Sequence, residues 1–157
     1  MILLNNTYFG KYASLPMGWL FMACLVAIEI VVMSQILDHA YFKSKIAFVA
    51  LMSNAVSGIV GAYTSIAING GRLLTVWFPW VSSKEVNLEN DEELFSFFLY
   101  FACAFVATVI VELIVNSMFL KKRYEFRPVM RATIIANVVS FLLGSFVLYT
   151  YSFFFYD

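Results

Sequence analysis

The chain has 157 residues, of which 62% are hydrophobic, 18% aromatic and only 13% charged, and its formal net charge is zero. A soluble domain carries about a quarter of its residues as Asp, Glu, Lys and Arg, so this composition excludes an ordinary water-soluble domain. Two Cys and a single His leave too few ligands for a metal or redox motif.

Met1 to Pro16 form a tail with no basic n-region before an apolar core and no small-residue cleavage site, so no removable signal is expected there. The first apolar run then serves as its own insertion signal. Asn5-Asn6-Thr7 matches a glycosylation sequon, a pattern that recurs by chance. Apolar runs follow at Met17 to Leu37 and at Ile46 to Ile68, joined by a turn that holds His39, Lys43 and Lys45. Each run reaches the roughly 20 residues that a membrane-spanning helix needs. Asn69-Gly70-Gly71 ends the second run, as Asn and Gly commonly do.

Residues 69–94 read as a loop. Within it, Leu73 to Val81 is too short to span a bilayer and too apolar to float in water. Trp77, Phe78 and Trp80 around Pro79 suit the headgroup zone, as an anchor or as a docking surface for a partner. An acidic stretch with Glu85, Glu89, Asp91, Glu92 and Glu93 follows. Two more apolar runs, Phe95 to Leu120 and Val129 to about Phe155, flank a turn with Lys121, Lys122, Arg123 and Arg127; Arg131 lies just inside the last run. The expected fold is all-α: a four-transmembrane-helix bundle of two tandem hairpins, residues 17–68 and 95–157.

Short loops rich in Lys and Arg remain on the cytoplasmic side. Turns 38–45 and 121–128 should therefore be cytoplasmic, and both termini and the loop 69–94 extracytoplasmic. Trp19, Tyr100, Tyr149 and Tyr151 belong to an outer aromatic belt, and Tyr41 and Tyr124 to the inner one.

The two hairpins repeat each other. An offset of 83 positions maps Glu29 onto Glu112, Ser34 onto Ser117, Tyr41 onto Tyr124, Asn54 onto Asn137, Ser57 onto Ser140 and Gly61 onto Gly144, without a gap. Matches among Val and Leu are cheap in such a chain, whereas matches among Glu, Asn, Ser and Gly are not. Two spans per repeat give both halves the same orientation, hence a pseudo-two-fold axis along the membrane normal.

At 1.5 Å rise per residue, Glu29 and Asn54 both lie roughly 13 Å from the cytoplasmic edge, near the middle of an approximately 30 Å hydrocarbon layer. Glu112 and Asn137 repeat that placement. Ser53, Ser57 and Gly61 form a ridge of small residues on the second helix, and Ala136, Ser140 and Gly144 form the matching ridge on the fourth, with Thr133 beside it. Small residues let helix backbones approach closely in lipid.

Glu29 is flanked on its own helix by Leu25, Val26, Val32, Met33 and Ile36, so it needs a polar neighbour from another helix. A charged side chain at mid-bilayer costs a few kcal/mol. Either the acid keeps its proton and bonds to the amide, or it stays ionised near water or a cation. Glu29, Asn54, Ser57, Glu112, Asn137 and Ser140 are thus a buried polar clamp that fixes helix register, or a proton or cation site. Cys24 and Cys103 read as small apolar packing residues.

No Ser-His or Cys-His pair, H-E-x-x-H motif or Gly-rich phosphate loop is present, so no catalytic residue, cofactor or metal is expected. K-S-K-I-A-F-V-A-L-M-S-N-A-V-S-G-I-V-G and A-T-I-I-A-N-V-V-S-F-L-L-G, each downstream of a membrane Glu, resemble FraC-like membrane proteins. That cyanobacterial filament-integrity group sits at septa between cells and supports cell–cell connection. The resemblance implies a non-catalytic bacterial membrane scaffold or accessory subunit of a membrane complex, of the septal-junction or filament-integrity type. Its partners would be the lipid bilayer and other subunits or copies of itself, as a homo-oligomer, with no nucleic acid. The alternative is a proton or cation channel or transporter that uses the buried Glu pair.

Overall fold

The computed structural model describes residues 16–69 and 91–155, all helical apart from two short turns. Helix α1 spans Pro16–Asp38, α2 Ser44–Asn69, α3 Asp91–Leu120 and α4 Phe126–Phe155. Each helix outruns its apolar segment by a few residues at one end or both. α3, for instance, starts at Asp91, ahead of the apolar residue Phe95.

The turns form where the backbone needs them. His39 takes a left-handed conformation (φ 54°), and its N–H bonds back to Gln35 O at 3.1 Å. This is the αL cap that closes many helices, here without the usual Gly. Lys43 O then accepts the Ala47 N–H at 2.8 Å and opens α2. At the other turn, Leu120 O accepts the N–H groups of both Arg123 and Tyr124, at 2.9 and 3.0 Å.

Each helix packs against two others, so the bundle is a four-sided ring of helices. The most extensive seams are α1 on α4 and α2 on α3, with α3 on α4 and α1 on α2 behind them. Sequence neighbours do touch, as the hairpin reading expects, yet the larger contacts join the first pair of helices to the second. Gly144 marks one such seam: a Cβ built on it would meet both Leu25 Cδ atoms at 3.4 Å and Phe21 Cζ at 3.6 Å.

Ile30, Met33, Ile46, Ala47, Val49, Ala50, Leu120, Val129, Ala132 and Ala136 form the apolar core, which lies toward the turns. The outside is also apolar: Val31, Leu51, Ile59, Val106, Ile110, Ile114 and Leu142 are exposed. So broad an apolar exterior is foreign to a water-soluble monomer. Three helices are long and apolar enough to cross a membrane, over Leu20–Asp38, Ser44–Gly61 and Phe126–Val147. The fourth contributes a shorter apolar stretch, Phe105–Leu120, among the described residues.

Cys24 and Cys103 do not fill gaps in the protein interior. Both are exposed among the described residues, so the packing role expected for them within the bundle is corrected.

Candidate functional site: a polar ring across four helices

Burial brings the polar residues together. Glu29 retains 6% of its exposure and Glu112 only 2%. Asn54 Nδ2 donates to Glu29 Oε2 at 2.6 Å, and Asn137 Nδ2 donates to Glu112 Oε2 at 2.8 Å. Within each sequential helix pair the amide thus reaches the acid at its own depth, as the spacing from the turns predicts.

The serines cross over. Ser57 of α2 bonds to Glu112 Oε1 of α3 at 3.1 Å, and Ser140 of α4 bonds to Glu29 Oε1 of α1 at 2.6 Å. Each serine also lies near the carbonyl of the asparagine one turn before it: Ser57 Oγ is 3.0 Å from Asn54 O, and Ser140 Oγ is 3.1 Å from Asn137 O. The contacts close on themselves. From Glu29 they run to Asn54, Ser57, Glu112, Asn137 and Ser140 and return to Glu29, touching all four helices. Every contact in one half has its counterpart 83 residues away.

The asparagines are held from behind as well. The second hydrogen of each amide has an acceptor on its own helix, Ala50 O at 3.0 Å for Asn54 and Thr133 O at 3.1 Å for Asn137. The small-residue ridges lie alongside. Ser53 is fully buried and bonds to Ala50 O at 3.0 Å, and Ala136 and Gly144 are buried too, while Gly61 is half-buried.

Next to the ring, the two halves differ. Asn116, four residues after Glu112, donates through Nδ2 to Thr133 Oγ1 at 3.0 Å, and both are fully buried. The equivalent positions in the first half are Met33 and Ala50, which join the apolar core. Asn116 was legible as a polar residue one helical turn from an acid, yet its partner follows only from the α3–α4 contact. Ser34 Oγ and Ser117 Oγ, repeat counterparts of each other, are buried without a hydrogen bond, as is Asn116 Oδ1.

A second polar cluster joins the two turns. Tyr124 O–H donates to Asp38 Oδ1 at 2.7 Å, and Asp38 Oδ2 pairs with Arg123 at 3.4 Å and Lys43 at 3.5 Å. Tyr124 is therefore not merely an inner-belt aromatic, the role expected from its position. Partial burial and the Asp38 carboxylate raise its phenol above the ordinary tyrosine range. Tyr41, its repeat counterpart, is exposed. The ion pairs are solvent-accessible, and such pairs contribute little on their own; they do place both turns at the same end of the bundle.

No family model matches the chain, and comparison with the curated proteins and with the solved structures finds no match either. Trp77, Phe78 and Trp80, the expected interfacial anchor or docking segment, lie outside the described residues.

Proposed function

We propose that this chain is a non-catalytic membrane scaffold or accessory subunit, a four-span bundle in which two like-oriented hairpins are latched to each other at mid-membrane. The observation that carries this reading is the closed polar ring. Its acid and amide groups bond to one another rather than lining an open site, so the ring is suited to holding helices in register. Repetition of every ring contact after 83 residues supports a pseudo-two-fold axis along the membrane normal. The adjacent turns, with their Lys and Arg, support a common cytoplasmic side, which leaves both termini and residues 69–94 extracytoplasmic.

The recognition surface is then the apolar exterior. In lipid, helices associate through close packing of such faces rather than through a hydrophobic drive. The partners are further copies of this chain or other membrane subunits, in a bacterial cytoplasmic membrane; a septal complex of the FraC-like kind is one such setting. Crosslinking in membranes followed by native mass spectrometry in mild detergent tests the proposal. A homo-oligomer or a defined hetero-complex is expected, and a lone monomer in both measurements would falsify it.

Two buried acids support a second reading, a proton or cation pathway, since ionisable groups inside membranes commonly mark such routes. Flux into liposomes, compared between the wild type and the double variant Glu29→Gln with Glu112→Gln, separates the two. The scaffold gives no flux in either; a pathway gives flux that the substitutions abolish.

A further inference from the structure

We infer that the ring is a two-proton site, with one proton on Glu29 Oε1 donated to Ser140 and one on Glu112 Oε1 donated to Ser57. The inference rests on the reading of the ring as a latch inside the membrane and assigns the ligand that keeps it closed.

The assignment comes from counting hydrogens. Each asparagine amide has two, and both are used: Asn54 donates to Glu29 Oε2 and Ala50 O, and Asn137 donates to Glu112 Oε2 and Thr133 O. The Oε2 atoms are therefore acceptors. Each serine hydroxyl has a single hydrogen but faces two oxygens, a carboxyl Oε1 and the carbonyl three residues back. If the carboxyls were ionised, each could only accept. One of the two oxygen–oxygen contacts at each serine would then lack its own hydrogen. A proton on each Oε1 resolves both: the carboxyl donates to the serine, and the serine donates to its own helix carbonyl. That helix back-bond is a habitual one for serine. Two protons complete the ring, and its twofold repetition calls for the same solution in each half.

The charged surroundings agree. The elements packed on either acid are α2 and α4, whose only bases are Lys45, Arg127 and Arg131, all near the turns. Arg131 is about 9 Å along the helix axis from Asn137, and Lys45 about 13 Å from Asn54. α1 and α3 contribute no base, and the other ionisable group in the ring is the second acid. Two bare carboxylates would thus share a low-dielectric interior with no counter-charge from the helices that surround them, an arrangement that like charges resist. With both protons present the ring is neutral. When they leave, each serine's single hydrogen must serve either the carboxylate or its own helix carbonyl, and two anions remain.

Infrared difference spectroscopy on the full chain in lipid tests this, with glutamate labelled by ¹³C at the side-chain carboxyl to separate it from aspartate. An ordinary glutamate, with a pKa of about 4.3, is ionised at pH 7. The expected result is a protonated-carboxyl carbonyl band at pH 7 that shifts in deuterated water. Half of it should disappear in Glu29→Gln and the other half in Glu112→Gln. Should those variants fail to fold, Ser140→Ala and Ser57→Ala each remove one acceptor and should move half of the band to higher frequency. Absence of the band at pH 7 overturns the inference, as does intensity for one proton only, or a band untouched by either serine substitution. None of these results depends on whether the chain oligomerises, so failure here is distinguishable from failure of the scaffold.

Discussion

Ser140 Oγ lies 2.6 Å from Glu29 Oε1, although 111 residues separate them in the chain. The contact ties α4 to α1, across the most extensive seam in the bundle. It makes the acid of the first half depend on the second half. A double-mutant cycle between Glu29→Leu and Ser140→Ala should therefore give a coupling energy of about 0.6 kcal/mol, the usual size for an interhelical hydrogen bond in a membrane. Reversible unfolding in mixed micelles measures it. Strict additivity of the two substitutions would show that the contact carries no energy.

The amides should weigh more than the acids when the change is conservative. Gln at position 29 or 112 still offers an oxygen to the asparagine, so Glu→Gln should be mild. Leu at 54 or 137 leaves a buried carboxyl oxygen without its donor, so Asn54→Leu and Asn137→Leu should each destabilise by roughly 1 kcal/mol. The same unfolding assay decides. Equal losses for Glu→Gln and Asn→Leu would mean that charge, rather than hydrogen bonding, governs the ring.

Much of this site is legible in the sequence, for identifiable reasons. In a chain so poor in polar residues, a second Glu, Asn, Ser and Gly at one fixed offset stands out. Helical rise then places Glu29 and Asn54 at equal distances from their turn. The crossing of the serines is not legible in that way. Ser57 and Glu112 are related by how the two helix pairs dock, and spacing along the chain carries no information about that. Asp38 and Tyr124 escape for the same reason: belt residues and turn residues are expected everywhere in membrane proteins, and only the docking brings these two together. Cys24 and Cys103 were misplaced because size and polarity do not say which face of an apolar helix points outward.

Gly144 separates helix propensity from packing. An added methyl would sit 3.4 Å from the ends of the Leu25 side chain, a flexible neighbour that can yield by a few tenths of an ångström. Ala is a better helix former than Gly by about 1 kcal/mol. Gly144→Ala should then be neutral or stabilising by up to ~1 kcal/mol. Gly144→Leu should force α1 and α4 apart at a cost of roughly 1–3 kcal/mol and weaken the neighbouring Ser140–Glu29 contact. Thermal unfolding of both variants checks the pair, and a large loss in Gly144→Ala would mean a seam tighter than this one.

His39 holds a left-handed backbone conformation that costs an ordinary L-residue roughly 1–2 kcal/mol. Gly adopts it freely but gives up more freedom on folding. Replacing His39 by Gly should therefore stabilise the chain modestly, by up to about 1 kcal/mol, whereas His39→Val should destabilise it, because a β-branched residue tolerates positive φ poorly. Midpoints of thermal unfolding for the two variants should move in opposite directions. Equal shifts would argue against a left-handed cap at this turn.

Tyr124 gives the pH test of how the turns dock. Its phenol donates to Asp38 at 2.7 Å, and partial burial together with the carboxylate raises its pKa in the folded chain. A raised folded value means that the folded state keeps the proton longer than the unfolded one. The stabilisation is then fully present below the unfolded value of about 10 and is lost as pH rises through the folded one. Wild type should accordingly lose its advantage over Tyr124→Phe in strongly alkaline solution, and also in acid as Asp38, whose pKa the Tyr124 hydrogen bond lowers, takes up its proton, with no change between them across neutral pH. The ultraviolet titration difference between the two should show one tyrosine ionising above the ordinary range. Asp38→Ala should bring that tyrosine back down, since it removes both the acceptor and the negative charge. A Tyr124 that titrates normally in the wild type would mean the two turns are not joined in this way.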